Sequence, residues 1–109
     1  MTGTLDFTQF RAEDGSNTKR RIQGVYSPPT AALAGYPTGG DAFVAADIKL
    51  GQLDVLIAPA AITVAGVLYH PSYDYVNGKL LLFVGTTGVE VANATDLSAM
   101  KIRFEAIGR

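Results

Sequence analysis

The feature that most constrains the fold is a pair of short-range β signals in the last third of the chain. Asn77-Gly78 separates two apolar-rich runs, and this dipeptide favours a two-residue turn in which both residues have positive φ. We therefore predict two antiparallel strands, Tyr73–Val76 and Lys79–Val84. The closing run, Met100–Ile107, alternates charged with apolar residues, which is typical of a strand with one wet face and one buried face.

Further strands are predicted upstream of this hairpin. Leu5–Phe10 and Lys19–Tyr26 show a weaker alternation, and residues 12–18, AEDGSNT, predict an exposed loop between them. Leu53–Ala58 and Ile62–Tyr69 are continuous apolar runs rich in Val, Ile and Leu. Such runs are typical of strands that are covered on both faces, so we expect these two at the centre of the core.

The middle of the chain predicts less regular structure. Asp41–Lys49 is expected to form one or two helical turns, with Asp41 capping the first amide groups. Residues 27–40 are rich in proline and glycine, which predicts an extended loop or arm, the alternative being an ordinary surface loop. Residues 1–109 should therefore form a single, mainly β domain, an antiparallel β-sandwich or barrel with one short helical segment. A jelly-roll-like connectivity is one alternative for its topology.

Composition limits the classes of function. Charged residues make up 17% of the chain, against about 25% in typical soluble domains, which favours apolar surface covered by another subunit. Nine basic and ten acidic residues give a net charge of −1 and no electrostatic footprint for nucleic acid. The absence of cysteine rules out disulfides and thiolate metal sites. No secretory signal or membrane span is expected, because no apolar run approaches the necessary ~18 residues.

The candidate catalytic and metal-binding residues have simpler structural interpretations. His70 is the only histidine, and it lies with Ser72 in an HPSY segment that predicts a turn after a strand. Asp41, Asp47 and Asp54 are separated by apolar residues, which is unlike a calcium loop and typical of separate caps and turns. We therefore predict no catalytic residue, no cofactor and no metal, and a non-enzymatic protein.

Two further groups have alternative interpretations. Tyr73 and Tyr75 could form a platform that stacks on sugars, but cross-strand packing is the favoured interpretation. Lys19, Arg20 and Arg21 would be divided between the two faces of a strand, which disfavours phosphate binding. The other possible roles of these basic residues are ion pairing with an acidic partner surface and simple solvation.

The order of four segments resembles a family of small tailed-phage virion structural proteins. The segments are YPTGGDAF at Tyr36–Phe43, AADIKLGQLDVL at Ala45–Leu56, DYVNGKL at Asp74–Leu80 and EVANATDLSAMKIRFEAIG at Glu90–Gly108. Together they span roughly the last two thirds of the chain. None of them is a catalytic motif.

The resemblance implies a capsid decoration or cement protein that binds the assembled shell of major capsid protein. Such a protein would be assembled in the host cytoplasm and lie on the outer surface of the virion. We expect a homo-oligomer, a trimer being suited to the three-fold positions of an icosahedral shell. The predicted partner-binding residues lie in the 27–40 arm and are Tyr36, Pro37, Pro28 and Pro29. The alternative function is a glycan- or host-surface-binding module on a tail or head fibre.

Overall fold

Two antiparallel β-sheets make up the computed structural model, which describes residues 1–11, 19–62, 66–97 and 99–109. The eight strands are β1 (Thr4–Arg11), β2 (Arg20–Ser27), β3 (Asp41–Ala42), β4 (Leu53–Ile57), β5 (Ala61–Ile62), β6 (Leu68–Asp74), β7 (Lys79–Val84) and β8 (Ile102–Gly108). The first sheet has the order β1-β2-β8-β4 and the second the order β3-β7-β6-β5. The predicted mainly β fold is confirmed, as a two-sheet sandwich and not as a closed barrel.

The closing strand β8 occupies the interior of the first sheet, between β2 and β4. Its alternation works as predicted: Ile102, Phe104 and Ala106 are buried, whereas Arg103 is exposed. The predicted strands near the N-terminus are also confirmed, since β1 and β2 pair in an unbroken antiparallel register from Thr4–Ser27 to Arg11–Arg20. The loop predicted at residues 12–18 lies outside the described residues.

Phe43, just after β3, joins the two sheets. Its ring packs edge-on against Phe104 of the first sheet, with centroids 5.4 Å apart, and against Tyr73 of the second sheet at 6.1 Å. Tyr26 of β2 approaches the same ring at 6.4 Å. Gly24 makes room for this layer, because a Cβ there would lie only 2.9 Å from the ring of Phe104. Four aromatic rings thus form the middle of the core.

The predicted β6–β7 hairpin is confirmed, but its turn is longer than expected. Asp74 pairs with Lys79, so residues 75–78 form a four-residue loop. Gly78 has a φ of +65°, the left-handed conformation that favours glycine, whereas Asn77 does not have a positive φ. The Asn-Gly pair therefore marks the turn without forming the two-residue type.

The prediction that the apolar runs 53–58 and 62–69 form the centre of the core is wrong. β4 is an edge strand, and its Val55 and Ile57 are 38% and 60% exposed on the outer face. The second run is split between β5 and β6, with residues 63–65 outside the described part of the chain. A continuous apolar run shows hydrophobicity but not which strands flank it, and β8 pairs with β2 and β4 in the interior position.

The HPSY segment lies inside β6 and not in the predicted turn. Pro71 is tolerated there because it pairs with Leu82, whose N–H and C=O both point away from β6 to Tyr36 and Val91. In an antiparallel ladder the missing N–H of Pro71 then also points away from β7. The proline therefore costs the hairpin no hydrogen bond.

Residues 27–40 lie against the sandwich instead of extending as an arm. Pro28 and Pro29 are buried, and a short 3₁₀ segment covers Ala31–Leu33. The main chain of Tyr36 is held on both sides, since its N–H donates to Thr95 O at 2.9 Å and its C=O accepts from Ala94 N at 2.7 Å. The segment is part of the fold of the single chain.

The predicted helical segment is a short 3₁₀ turn at Ala45–Ile48. Asp47 stabilises its start by accepting a 2.8 Å hydrogen bond from the N–H of Val44. Asp41 does not act as the predicted cap, because it lies in β3 with its side chain buried. Within the described residues, no helix is long and apolar enough to span a membrane.

Candidate functional site

Three of the four predicted partner-binding residues lie in the interior of the single chain. Tyr36 has no exposed surface, Pro28 and Pro29 are buried, and Pro37 is half-buried. The Tyr36 hydroxyl donates to the Glu90 carboxylate at 2.6 Å and accepts from the N–H of Leu82 at 3.1 Å. Burial, followed by the bond to Glu90, raises the pKa of Tyr36, so the hydroxyl stays protonated. Its role is to close the edge of β7.

The catalytic candidates do not form a catalytic arrangement. His70 and Ser72 lie two residues apart on β6, on its exposed outer face, and no hydrogen bond joins them among the described residues. Asp41 is buried near the N-terminus and Asp47 caps the 3₁₀ turn. Asp54 lies in β4, 3.9 Å from Lys19. Where the structure describes the chain, no three His, Asp or Glu side chains could share a metal ion.

Two residues of the basic cluster lie close to acidic side chains. Lys19 contacts Asp54, and Arg21 lies 3.8 Å from Glu105 on the outer face of the first sheet. All four side chains are partly exposed, and exposed ion pairs typically contribute less than about 1 kcal/mol. These pairs neutralise the surface and leave no concentrated basic patch here.

Tyr73 and Tyr75 pack edge to face and do not form a flat platform. Their ring centroids are 4.8 Å apart and their planes are 89° apart. The Tyr73 hydroxyl donates to Phe43 O at 2.6 Å, and the Tyr75 hydroxyl accepts from Leu56 N at 2.9 Å. Both hydroxyls therefore bind main-chain groups, and only the ring of Tyr75, which is 54% exposed, is presented to solvent.

Three exposed apolar side chains lie at or beside the tip of the β6–β7 hairpin. Val76 is 91% exposed, Tyr75 is 54% exposed and Val44 is 45% exposed. Val44 belongs to this cluster because its Cγ1 would lie 3.0 Å from a Cβ placed on Gly78. We call Val44, Tyr75 and Val76 the tip surface.

A single carboxylate holds the turn that carries the tip surface. Asp74 Oδ1 accepts from the N–H groups of Val76 and Asn77 at 2.9 and 3.1 Å, and Asp74 Oδ2 accepts from the Asn77 side chain at 2.7 Å. The Asn77 side-chain bond, followed by its main-chain bond, lowers the pKa of Asp74, which keeps the carboxylate ionised near neutral pH. Three hydrogen bonds within the single chain thus hold the turn.

The tip is also bound to the core beneath it. The N–H of Phe43 donates to Gly78 O at 2.8 Å, and the same residue's C=O accepts from Tyr73. The turn therefore connects Phe43, whose ring lies at the centre of the core, to the exposed Val76. A surface that is rigid when free pays little entropy on binding.

The tip surface is not among the predicted site residues, because its exposure depends on the tertiary structure and not on residue type. The local signal was present: an aspartate four residues before a turn glycine, in DYVNG, can accept from the amides of the turn. The exposure of Val76 could not be deduced from it.

No family model, no curated protein and no solved structure matches the chain.

Proposed function

We propose that the protein is a non-enzymatic capsid decoration protein of a tailed phage, which binds and stabilises the assembled shell of major capsid protein from outside. The sequence supports this through its resemblance to small phage virion proteins. The structural observation that carries the proposal is the tip surface, in which Val76 is 91% exposed on a turn fixed by Asp74. Exposed apolar residues on an ordered turn are typical of a protein–protein contact.

The mechanism is burial of the tip surface between capsid subunits. Tyr75 supplies a ring of the type that is enriched at energetic hot spots, and Val76 supplies an apolar side chain that water now surrounds. Homo-oligomers would bring several tips to one shell, and linked contacts convert modest single affinities into high avidity. The site of action is the outer surface of the virion, after assembly in the host cytoplasm.

Replacing Val76 by aspartate is expected to weaken binding to empty heads at least about tenfold, because burying a valine contributes about 1.5–3 kcal/mol. Co-sedimentation of the purified protein with empty heads of its own phage measures this. Val89→Asp is the matched control, since Val89 is 63% exposed beyond the opposite end of β7. Equal losses in both variants would contradict a contact at the tip, and a wild-type protein that ignores heads would contradict the decoration function.

The exposed ring of Tyr75 favours the alternative, a glycan- or host-surface-binding module on a tail or head fibre. A single ring can stack on a sugar without the Tyr73 platform. In that case Tyr75→Ala is expected to abolish binding to host-cell polysaccharide, while the wild-type protein does not sediment with heads. Retention of polysaccharide binding by Tyr75→Ala would exclude this alternative.

A further inference from the structure

The edge of a sheet exposes main-chain groups with which another strand can pair. The described residues form four such edges, and tyrosine hydroxyls close two of them. At β4, the Tyr75 hydroxyl accepts from the N–H of Leu56 at 2.9 Å and donates to its C=O at 3.3 Å. At β7, beyond the two residues of β3, the N–H of Leu82 donates to the Tyr36 hydroxyl, and the C=O of Leu82 accepts from Val91 N at 2.9 Å.

The third edge is protected by its length and by a proline. β5 has only two residues, and β6 beyond it carries Pro71, which offers no N–H to an incoming strand. β1 differs from the other three edges. It has eight residues, pairs with β2 without a bulge, and contains no proline and no lysine.

The ladder shows which groups of β1 face outward. Leu56 of β4 points its N–H and C=O away from β8. Its partner on β8, Ala106, therefore points its own N–H and C=O away from β4 and toward β2. There these groups bond Ile22. Gln23, the next residue of β2, must then bond Thr8 of β1. The residues before and after Thr8 point their N–H and C=O groups away from β2, toward the open edge.

The main-chain groups of Leu5, Phe7 and Gln9 therefore face the open edge. No hydrogen bond occupies them among the described residues. The side chains of Leu5 and Phe7 are half-buried against the core, so apolar surface remains at this edge too. An incoming strand would gain hydrogen bonds and would cover these two side chains.

We propose that the incoming strand is β1 of a second copy, antiparallel and related by a two-fold axis centred on Phe7. An axis perpendicular to the sheet keeps both cores on the same side, so Phe7 faces Phe7 and Leu5 faces Gln9 of the second copy. Asp6 is exposed and has no ion pair among the described residues. In this register it faces the hydroxyl of Thr8 of the second copy and not another carboxylate.

A second copy fits this edge because it brings an equally long open edge of its own. Head-to-tail strand pairing between copies would need a second long open edge, and the described residues offer only β1. Pairing β1 with β1 joins the two first sheets into one eight-stranded sheet. This dimer differs from the trimer expected from the resemblance, and it would form whether or not the protein binds a capsid.

Sedimentation of the purified full chain tests the pairing. The wild-type protein is expected at twice the mass of the chain, and Gln9→Pro, which removes an outward N–H, is expected at the mass of one chain. Gln9→Ala is the matched control, because it removes the 3.4 Å side-chain bond to Lys49 O but keeps the N–H. A monomeric or trimeric wild-type protein would overturn the proposal, as would a dimer that survives Gln9→Pro.

Cross-linking decides the register even if the proline variant fails to fold. The chain has no cysteine, and residues 6 and 8 of opposite copies form a non-hydrogen-bonded pair with Cα atoms ~4.5 Å apart, which suits a disulfide. A mixture of Asp6→Cys and Thr8→Cys is expected to give a covalent dimer under mild oxidation. Neither variant alone should do so, and equal cross-linking in the single variants would overturn the register.

Discussion

Replacing Phe43 by alanine is expected to destabilise the protein by about 3–5 kcal/mol, the usual loss for a fully buried phenylalanine. The ring has no exposed surface and contacts both sheets through Phe104 and Tyr73. Its removal leaves a cavity between the sheets that these rings cannot fill without moving. Since domains of this size have about 5–15 kcal/mol of stability, the variant should be only marginally folded.

Urea unfolding followed by tyrosine fluorescence or circular dichroism measures this loss. Phe83→Ala is the matched control, because Phe83 is half-buried on the outer face of β7 and pairs there with His70. It should lose much less, about 1 kcal/mol, in line with ordinary single substitutions. Equal losses at the two positions would contradict the role of Phe43 as the contact that joins the sheets.

Replacing Asp41 by alanine is expected to cost about 3 kcal/mol or more, because its carboxylate is the acceptor for four hydrogen bonds. Oδ1 accepts from Thr2 N and Oγ1 at 2.8 and 2.9 Å, while Oδ2 accepts from Gly3 N and the Tyr26 hydroxyl, both at 2.8 Å. Hydrogen bonds to a charged group contribute about 1.5–3 kcal/mol, and unpaired buried donors are costly. Urea unfolding of Asp41→Ala beside Asp6→Asn, an exposed aspartate, separates this loss from a general effect of charge.

The same carboxylate should make stability depend on pH. Burial by itself would raise the pKa of Asp41, but the amides of Thr2 and Gly3 and the hydroxyls of Tyr26 and Thr2 outweigh it, so the pKa lies below its ordinary value. Folding therefore favours the ionised form. The stabilisation is fully present above the unfolded pKa of about 3.9 and is lost as pH falls through the lowered folded pKa.

Comparing variants across pH isolates this contribution. The difference in unfolding free energy between the wild-type protein and Asp41→Ala should be constant near neutral pH and should shrink in acid. Asp74, whose pKa is also lowered, is present in both proteins and cancels from the difference. A difference that stays constant into strong acid would show that Asp41 stabilises the fold through its shape and not through its charge.

Thr2 and Gly3, which precede β1, are hydrogen-bonded to the rest of the fold through Asp41. Thr2 and Gly3 lie 39 and 38 positions from it in sequence, and Tyr26 lies 15 positions away. No local pattern relates these residues, so sequence reasoning assigned Asp41 to a helix cap. A buried charge needs hydrogen-bond donors, and these can come from residues distant in sequence. Local propensity carries no information about such partners.

Local patterns were sufficient where one strand and one turn decide the structure. The alternation in β8 predicted which of its residues are buried, because a strand with one covered face has a period of two regardless of its neighbours. Asn77-Gly78 likewise predicted the hairpin, because the preference for a turn is a property of adjacent residues. The mainly β sandwich follows from such signals taken together.

Only the tertiary structure decided which strands are at edges, which tyrosines are inside and which valines are outside. Tyr36 was predicted as a contact for a partner and is buried, whereas Val76 is nearly fully exposed. The apolar run of β4 was predicted to be central and lies at an edge. Burial and edge position depend on the order of strands, which long-range pairings set, and residues distant in sequence determine those pairings. The sequence by itself therefore determined the fold class and the hairpin, and the packing of the two sheets decided the candidate surfaces.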